Sequence, residues 1–500
     1  MFLAVKDQLT DEEIQTGMRW ILRDGIAAQA MVTFTSGAFL IAYALQLGAS
    51  NFVIGLLASI GPLSQLMQMP AIYAVERYRN RRAIVVLMAS ISRLCWLFIG
   101  LIPFLFSPQL GLGLLLGALV INSTTGAVSG CSWNSWMRDM IPQDILGRFF
   151  SRRMQIAVAM GVVLSLAAAA YLDLWKRLLP EHPEKGYSLL FVAGFFAGGI
   201  GVYCITRIPE LRMISHMQAP SFSQIISRPF RDQNFRKLIV FMGSWSFAVN
   251  LAAPFFMVYM LRRLGMSMTY VIGMTVLMQI VNVIFLKIWG KFTDRFSNKS
   301  VLAICCPCFL LSILAWTFTT MPEKHVLTVP LLVVIYIVMG FAMAGVTLAT
   351  GNIGLKLAPK GEATAYLATN TMFLSLTSGI APILGGKFAD CFAARQLDWT
   401  IKYTSPSREL ILPTLNLQQW DFFFAIAFIV GIYALHRLAM IREVGEVEEK
   451  VILQELATEV KLQVRTISAF VGLRHMFSIP VLILDRLRGK KGDNNHGANT

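Results

Sequence analysis

The sequence predicts an all-α integral membrane protein, with twelve transmembrane helices arranged as two pseudo-symmetric six-helix bundles. Three observations support this fold class: a composition poor in charge, a series of long apolar runs, and a repeat between the two halves of the chain. Of the 500 residues, 56% are hydrophobic and 14% are charged, whereas a soluble domain has about 25% charged residues. This composition excludes most soluble single-domain enzymes and intrinsically disordered proteins.

Twelve apolar runs are long enough to cross a bilayer, since a spanning helix needs about 20 residues. We predict that these runs are helices, because lipid offers no hydrogen-bond partners to an open backbone. The runs lie at roughly 22–46, 52–74, 83–105, 108–131, 154–175, 188–208, 238–261, 268–289, 301–320, 329–351, 366–389 and 420–440.

The charged residues organise the chain around these runs. Most Lys and Arg residues fall in segments on the same side as the N-terminus, which predicts that both termini are cytoplasmic. A capping-box sequence at Thr10 and Glu13 predicts a short amphipathic helix on the cytoplasmic surface before the first span. The predicted segments are a cytoplasmic N-terminus, a first bundle, a cytoplasmic linker, a second bundle and a cytoplasmic tail: 1–21, 22–208, 209–237, 238–440 and 441–500.

The two halves repeat at a constant offset of 217 to 218 positions. Three short segments recur in order and at the same topological places. They are Leu47-Gly48-Ala49-Ser50 with Leu264-Gly265-Met266-Ser267, Val53-Ile54-Gly55 with Val271-Ile272-Gly273, and Glu76-Arg77-x-x-Asn80-Arg81 with Asp294-Arg295-x-x-Asn298-Lys299. A duplicated six-helix unit of this kind is one of the recurrent transporter architectures.

The third repeated segment resembles the loop signature of the major facilitator superfamily, as found in bacterial transporters. The second copy is the closer match, with Gly290, Asp294 and Arg295 in place and Ser297 where the signature has a second Gly. The resemblance implies a secondary active transporter of a small solute in the bacterial inner membrane, working by alternating access. It also implies a cytoplasmic gate between the halves, with these candidates: Glu76, Arg77, Arg81, Asp294, Arg295 and Lys299.

Arg93 is the ionisable residue that lies deepest in a predicted span. It sits ten residues into the third run, about 15 Å along a helix that rises 1.5 Å per residue. A charge near the bilayer centre costs at least about 2.5–3.5 kcal/mol unless it has a partner or faces a cavity. Three roles are open for Arg93: it holds an anionic substrate, it holds a carboxylate that moves during transport, or it bonds structurally to neighbouring helices.

The resemblance implies that helices 1, 4, 7 and 10 line a central cavity. Polar side chains on these helices suit a neutral or amphiphilic solute, although the same residue types also bond helices to each other. With Arg93, the substrate-cavity candidates are Gln29, Thr33, Asn122, Thr125, Trp245, Asn250 and Thr347. In span 11, we predict that Pro382, Gly385 and Gly386 bend the helix or allow close packing.

The Asp and Glu residues that fall within the predicted spans lie near the ends of those spans. Asp24 lies beside Arg23 near the start of the first run. It is the best remaining candidate for a proton relay, and the alternative, which we favour, is that the pair forms an interfacial cap. A proton relay commonly uses a carboxylate deep in the protein, so this placement counts against a simple relay.

Other function classes are disfavoured by the sequence. The basic loops suit a membrane surface rather than nucleic acid, the Cys residues lie in or beside apolar runs, and we expect no metal site and no cofactor. We expect a monomer in contact with a small solute and with membrane lipids, to which the tail's Arg486, Arg488, Lys490 and Lys491 could bind.

Three alternatives remain open from the sequence. The first is a drug or metabolite efflux pump of the same fold, the second is a multispanning membrane enzyme, and the third is a non-transporting sensor. The best cluster for an enzyme follows span 4: Trp133, Asn134, Trp136, Arg138 and Asp139.

Overall fold

The computed structural model describes residue 6 and residues 8–142, 145–212, 229–320, 325–359, 363–405 and 408–443. Within this part of the chain, twelve helical segments are long and apolar enough to cross a membrane, which confirms the twelve predicted spans. We number them as spans 1 to 12: Asp11–Gln46, Asn51–Tyr78, Arg81–Leu105, Pro108–Met140, Leu146–Leu178, Pro183–Thr206, Gln233–Arg263, Met268–Thr293, Asn298–Thr319, Thr328–Leu357, Tyr366–Cys391 and Trp420–Ala439.

Several spans are built from more than one helical piece. Span 1 comprises helices Asp11–Thr35 and Ala38–Gln46, separated at Gly37, whose φ of 60° and ψ of −127° favour glycine. Span 2 passes through a 3₁₀ turn at Gln65–Met67, and span 7 ends in a π-helical turn at Tyr259–Arg263. The helices of spans 8 and 11 extend slightly further, over Met268–Arg295 and Ala363–Cys391.

The N-terminal helix is not a separate surface element. Thr10 and Glu13 do form the predicted capping box. The helix that they cap runs without a break from Asp11 to Thr35 and is itself the first helix of span 1. The pattern of an amphipathic start followed by an apolar run therefore belongs to one helix, and side chains near residue 24 lie deeper in the bundle than the sequence suggested.

The helices pack in two equivalent sets of six. In the first half, span 1 packs on spans 5 and 6, span 3 on spans 4 and 6, and span 2 on span 4. In the second half, span 7 packs on spans 11 and 12, span 9 on spans 10 and 12, and span 8 on span 10. The halves meet where span 2 packs on span 11 and span 5 on span 8, so the contacts between halves are also related by the repeat.

The contact between spans 2 and 11 depends on glycine. A Cβ on Gly55 would overlap the carbonyl of Pro382, and a Cβ on Gly386 would overlap the carbonyl of Asn51. Gly385 approaches the carbonyl of Leu251 in span 7 in the same way. The helix of span 11 is continuous through Pro382, so the structure shows close packing at these positions, while bending there stays a prediction.

The connection between spans 11 and 12 adds a β-hairpin that the all-helical description lacked. Strand β1 (Gln396–Ser405) pairs antiparallel with β2 (Arg408–Gln418), with a register shift between Trp399 and Thr400. Apolar residues alternate with polar ones from Leu397 to Tyr403, and this period of two is typical of a strand. The predicted spans 366–389 and 420–440 leave this stretch unassigned.

The side that carries the N-terminus is called the inner side below, and the opposite one the outer side. Much of the predicted linker lies outside the described residues, as does the tail from 444 onward, with its predicted lipid-binding cations. The segment boundaries given above stay predictions.

Candidate functional site

A charged cavity lies inside the first half, toward its inner side. Its volume is about 230 Å³. Spans 1, 3 and 5 each contribute one ionisable side chain: Asp24, Arg93 and Arg153. Span 4 adds Ser129 and the ring of Trp133. The cavity thus brings two guanidinium groups and one carboxylate together among apolar helices.

Glycines provide the space for these charged side chains. A Cβ on Gly198 of span 6 would lie 2.6 Å from Cγ of Arg93. A Cβ on Gly201 would lie 3.3 Å from Oδ1 of Asp24, so that side chain also packs directly on span 6. Larger residues at these positions would displace the charged groups, which links the small residues of span 6 to the cavity.

Asp24 is buried, with 4% of its surface exposed. Its Oδ2 accepts a hydrogen bond of 3.4 Å from Nη2 of Arg153, while Nε of Arg153 donates to the Ile21 carbonyl over 3.4 Å. The Arg153 guanidinium also lies 5.0 Å from the centre of the Trp133 ring, in a cation–π contact. The prediction of an interfacial cap is wrong, because Asp24 pairs with span 5 inside the bundle, whereas Arg23 stacks on Trp20.

Arg93 is half-buried and has few hydrogen-bond partners among the described residues. Its Nη1 donates to the Ala89 carbonyl of its own helix over 3.3 Å. Among the described residues, neither Nε of Arg93 nor Oδ1 of Asp24 has a hydrogen-bond partner, and both atoms are buried. The sequence marked Arg93 as a charge within a span but did not place Asp24 or Arg153 beside it.

A second site lies at the outer ends of the helices, where the halves meet. Asp390 of span 11 accepts hydrogen bonds from the backbone N–H groups of Asn51 (3.1 Å) and Phe52 (2.8 Å), in the first turn of span 2. Asp173 of span 5 accepts them from Met268 (3.0 Å) and Thr269 (2.8 Å), in the first turn of span 8. We call these two contacts the outer latches, because each joins one half to the other.

The outer latches are related by the repeat. Asp173 and Asp390 are 217 positions apart, and so are Asn51 and Met268. The helix dipole and the free N–H groups of a first helical turn both stabilise a carboxylate at that position. The preceding residues, Ser50 and Ser267, cap the third N–H of each turn from within the same half.

Arg262, at the end of span 7, adds a third outer contact between the halves. Its Nη2 donates a hydrogen bond of 2.9 Å to the Ala49 carbonyl in the loop after span 1. Within the described residues, hydrogen bonds therefore hold the outer ends of the halves together at the two latches and at Arg262.

The inner ends show the same chemistry in a different place. Glu210, which follows span 6, accepts hydrogen bonds from the N–H groups of Arg81 (2.7 Å) and Arg82 (3.2 Å), at the start of span 3. Glu443, which follows span 12, accepts from the Lys299 N–H (2.8 Å) at the start of span 9. We call these two contacts the inner braces, because each joins two spans of the same half.

The comparisons with known proteins decide the family. The sequence matches the profile of the Major Facilitator Superfamily over residues 25–382, which is more than half of the chain. The chain belongs to the major facilitator superfamily. This confirms the resemblance drawn from the loop signature, and it makes the protein a multi-pass membrane transporter rather than a membrane enzyme.

Solved structures of this superfamily share the fold. The nucleoside transporter NupG is 14% identical, with 86% of this chain and 99% of that chain covered and a TM-score of 0.55. A D-xylose-proton symporter is 14% identical, with 87% and 100% covered and a TM-score of 0.61. A bacterial homologue of the iron transporter ferroportin, in its inward-facing state, is 11% identical, with 86% and 99% covered and a TM-score of 0.59. No curated protein sequence matches the chain.

In this superfamily member, two predicted gate residues belong to the inner braces. Arg81 is fully buried and bonds Ser135 and Asp139 of span 4 as well as the Leu211 carbonyl, all within the first half. Lys299 donates through Nζ to the Ile441 carbonyl over 2.6 Å. In this structure both residues hold a half together, and their part in a gate between the halves stays a prediction.

The remaining gate candidates stay predictions. Glu76 is half-buried and Arg77 is exposed at the end of span 2, while Arg295 lies over the ring of Phe296 at the end of span 8. The side chain of Asp294 lies outside the part of the chain that the structure describes.

The polar substrate candidates fall into two groups. Asn122 donates to Ser92 over 2.8–2.9 Å and so bonds span 4 to span 3, while Trp245 is buried against Phe309. The others bond within their own helix or are exposed: Gln29 with Thr33, Thr125 with the Ile121 carbonyl, Asn250 with the Ser246 carbonyl, and exposed Thr347. Solute contact by any of them stays a prediction.

The sequence analysis missed the roles of Asp173 and Asp390. Both lie at the ends of apolar runs, where a carboxylate is unremarkable on composition alone. The signal that identifies them is their separation, which equals the offset of the repeated segments.

Proposed function

We propose that this protein is a secondary transporter that carries a small solute by alternating access, with the outer latches as its outer gate. The observation that supports the proposal is that both latches join the two halves at equivalent positions. Rocking of one half against the other would open the outer side only if both carboxylates leave their helix N-termini. The geometry described here therefore corresponds to a state that is closed on the outer side.

The energies suit a gate. A hydrogen bond to a charged group contributes about 1.5–3 kcal/mol, and Asp173 and Asp390 each accept two such bonds from backbone N–H groups. Opening replaces them with bonds to water, so only part of this energy separates the two states. A difference of about 1.4 kcal/mol changes a population tenfold, so a few kcal/mol would hold the outer side closed yet reversible.

The inner braces support the same proposal. A rocking mechanism needs rigid halves, and Glu210 and Glu443 bind span 3 and span 9 into their own halves. Burial raises the pKa of the Glu210 carboxyl, while the Arg81 and Arg82 N–H groups and the Arg81 guanidinium lower it.

The proposal is tested with Asp173→Asn, Asp390→Asn and the double variant, reconstituted in proteoliposomes. We expect faster hydrogen exchange in 49–55 and 266–272 and altered flux of the solute that a thermal-shift screen identifies. Asp232→Asn is the matched control, because Asp232 caps its own helix at Asn234 and Phe235. Normal exchange and normal flux in the double variant would contradict the gate. Binding of a solute without flux would favour a sensor instead.

A further inference from the structure

The β-hairpin between spans 11 and 12 breaks the symmetry of the two halves. Spans 5 and 6, which the repeat relates to spans 11 and 12, are joined directly through 179–182. Strand β1 of the hairpin has ten residues and is therefore about 34 Å long, at about 3.4 Å per residue. The first half completes the same six-helix unit without such a hairpin, so the role of the hairpin is additional to the fold.

The strand register collects apolar residues on one face of the hairpin. Alternate residues of a strand share a face, and in β1 these are Leu397, Trp399, Ile401 and Tyr403. Each of the four pairs with a leucine of β2. We call these four pairs the apolar face of the hairpin. The residues between them in β1 are polar and belong to the opposite face.

The register shift after Trp399 maintains the apolar face. It leaves Thr414 opposite no residue of β1, so that Ile401 pairs with Leu412. Without the shift, Ile401 would pair with Pro413. Because a slip of one residue moves every following side chain to the other face of a strand, the shift brings the leucines on both sides of Thr414 to one face. The irregularity therefore extends the apolar face along the whole hairpin.

The helices of the protein leave most of this face without a packing partner. Among the described residues, the hairpin packs on the helices mainly at its base, where β2 meets span 12. A helix is about 10–12 Å wide with its side chains, so a hairpin of this length extends well beyond span 12. At the base, Leu397 has 52% of its surface exposed. A two-stranded hairpin is marginally stable in water, and it needs a further apolar surface to pack on.

We propose that the apolar face binds the lipid leaflet on the outer side of the membrane, with the hairpin lying along the leaflet surface. The hairpin connects the outer ends of span 11, at Cys391, and span 12, at Trp420, so its base lies at the level of the lipid headgroups. Trp and Tyr, which the apolar face contains, are enriched at that level. The edges of the hairpin carry unpaired backbone groups that cannot enter hydrocarbon, so the hairpin lies in the interface and does not insert.

Two exposed cations at the base of the hairpin suit this position. Arg263, at the end of span 7, donates a hydrogen bond of 2.5 Å through Nη2 to Oε1 of Gln418. Arg395 precedes β1, and its guanidinium lies 5.3 Å from the centre of the Phe392 ring. Both arginines are exposed. A guanidinium binds phosphate through two parallel N–H groups, so lipid phosphates at this level would have two guanidinium partners.

The test measures the depth of spin labels along β1 by their accessibility to oxygen and to a water-soluble nickel complex. The full chain is placed in nanodiscs of phosphatidylethanolamine and phosphatidylglycerol that hold one copy each. Cys391, which is exposed beside the hairpin, is first replaced by Ser, and single labels are then introduced at 397–404. We expect the labels at odd-numbered positions to lie about 5–10 Å into the boundary between headgroups and acyl chains. The labels at even-numbered positions should lie in water, and equal depth at all positions would overturn the proposal.

Paired substitutions on the two faces provide a matched control. With the label at 401, Trp399→Ser combined with Tyr403→Ser should move the label into water, because the apolar area that binds lipid falls. Asp398→Ser combined with Lys402→Ser, on the opposite face, should leave its depth unchanged. Trp399→Phe combined with Tyr403→Phe keeps the apolar area and should also leave the depth unchanged. An unchanged depth in the first pair would contradict binding of lipid by this face.

The hairpin of a second copy is the rival occupant of the apolar face. In that case the odd-numbered labels would lie in water in discs that hold one copy, and discs that hold two copies would show dipolar coupling between labels of the two chains. This result would overturn the binding of lipid in favour of a dimer. The measurement needs no solute, so its outcome is independent of the transport function proposed above.

Discussion

The outer latches and the inner braces use the same chemistry for opposite purposes. In both, carboxylates accept backbone N–H groups from the first turn of a helix, at 2.8–3.1 Å in the latches and 2.7–3.2 Å in the braces. The latches join different halves, while the braces join spans of one half. The mechanical role of such a contact is thus decided by where its two elements belong, not by its local geometry.

The outer latches and the inner braces also differ in how deeply their side chains are buried. Arg81 and Glu210 in the inner brace are almost fully buried, with side-chain exposures of 0% and 1%. Asp173 and Asp390 are only half-buried. A buried, multiply bonded contact resists opening, whereas a half-hydrated one exchanges with water at lower cost, as a gate requires. Four predictions follow from this difference, in order of decreasing effect.

Removing the inner brace should have the largest effect. Arg81→Ala leaves the buried Glu210 carboxylate without its guanidinium partner, and breaking a buried pair in this way typically costs about 3–5 kcal/mol. We expect a large fall in the apparent Tm and loss of monodisperse protein on size exclusion. Arg77→Ala, at an exposed position of the same loop, is the control and should fold normally.

Removing the outer latches should instead shift a conformational equilibrium. Each of Asp173→Asn and Asp390→Asn should favour the outward-open state by about 1.5–3 kcal/mol, since each replaces a charged acceptor by a neutral one. The two sites share no partners, so their effects should add in the double variant. Distances between spin labels on the outer ends of spans 1 and 7 measure this shift. Strong non-additivity would show that the two latches are coupled, whereas a single variant without effect would show that the other latch alone holds the outer side closed.

Glycine packing should distinguish the two copies of the repeated Val-Ile-Gly segment. Gly55→Ala places a Cβ against the Pro382 backbone, which cannot move aside, and should open the contact between spans 2 and 11. At Gly273, the equivalent position, a Cβ meets open space. Gly273→Ala should leave the outer side closed and stabilise the helix by about 1 kcal/mol. If Gly55→Ala and Gly273→Ala changed the spin-label distances by the same amount, this difference in packing between the two glycines would be contradicted.

Arg262→Gln should have the smallest effect. Its hydrogen bond reaches a neutral carbonyl from an exposed side chain, so its loss is worth about 1 kcal/mol or less. We expect hydrogen exchange near Ala49 to rise slightly and flux to change little. Arg263→Gln, whose partner Gln418 lies in the second half, serves as the comparison and should leave exchange near Ala49 unchanged.

The sequence predicted the elements better than the site. The twelve spans, the Thr10–Glu13 capping box and the duplicated architecture were correct, because each depends on local pattern. The β-hairpin after Cys391 was not predicted, because a period of two over seven residues is a much weaker local signal than the long apolar runs on either side of it. Asp24 was misplaced because it lies near the start of the predicted apolar run, which begins at about residue 22. The helix itself begins earlier, at Asp11, so Asp24 lies well inside it.

By itself, the sequence determined which segments cross the membrane and that the chain is a duplicated transporter fold. The physical reason is that lipid forces each backbone donor and acceptor to pair within its own helix, so hydropathy and spacing are sufficient. Only the tertiary structure decided that Asp173 and Asp390 join the halves, that Arg81 braces one half, and that Arg93 meets Asp24 and Arg153. Each of these contacts connects residues far apart in the chain, and helical periodicity does not specify which helix packs beside which.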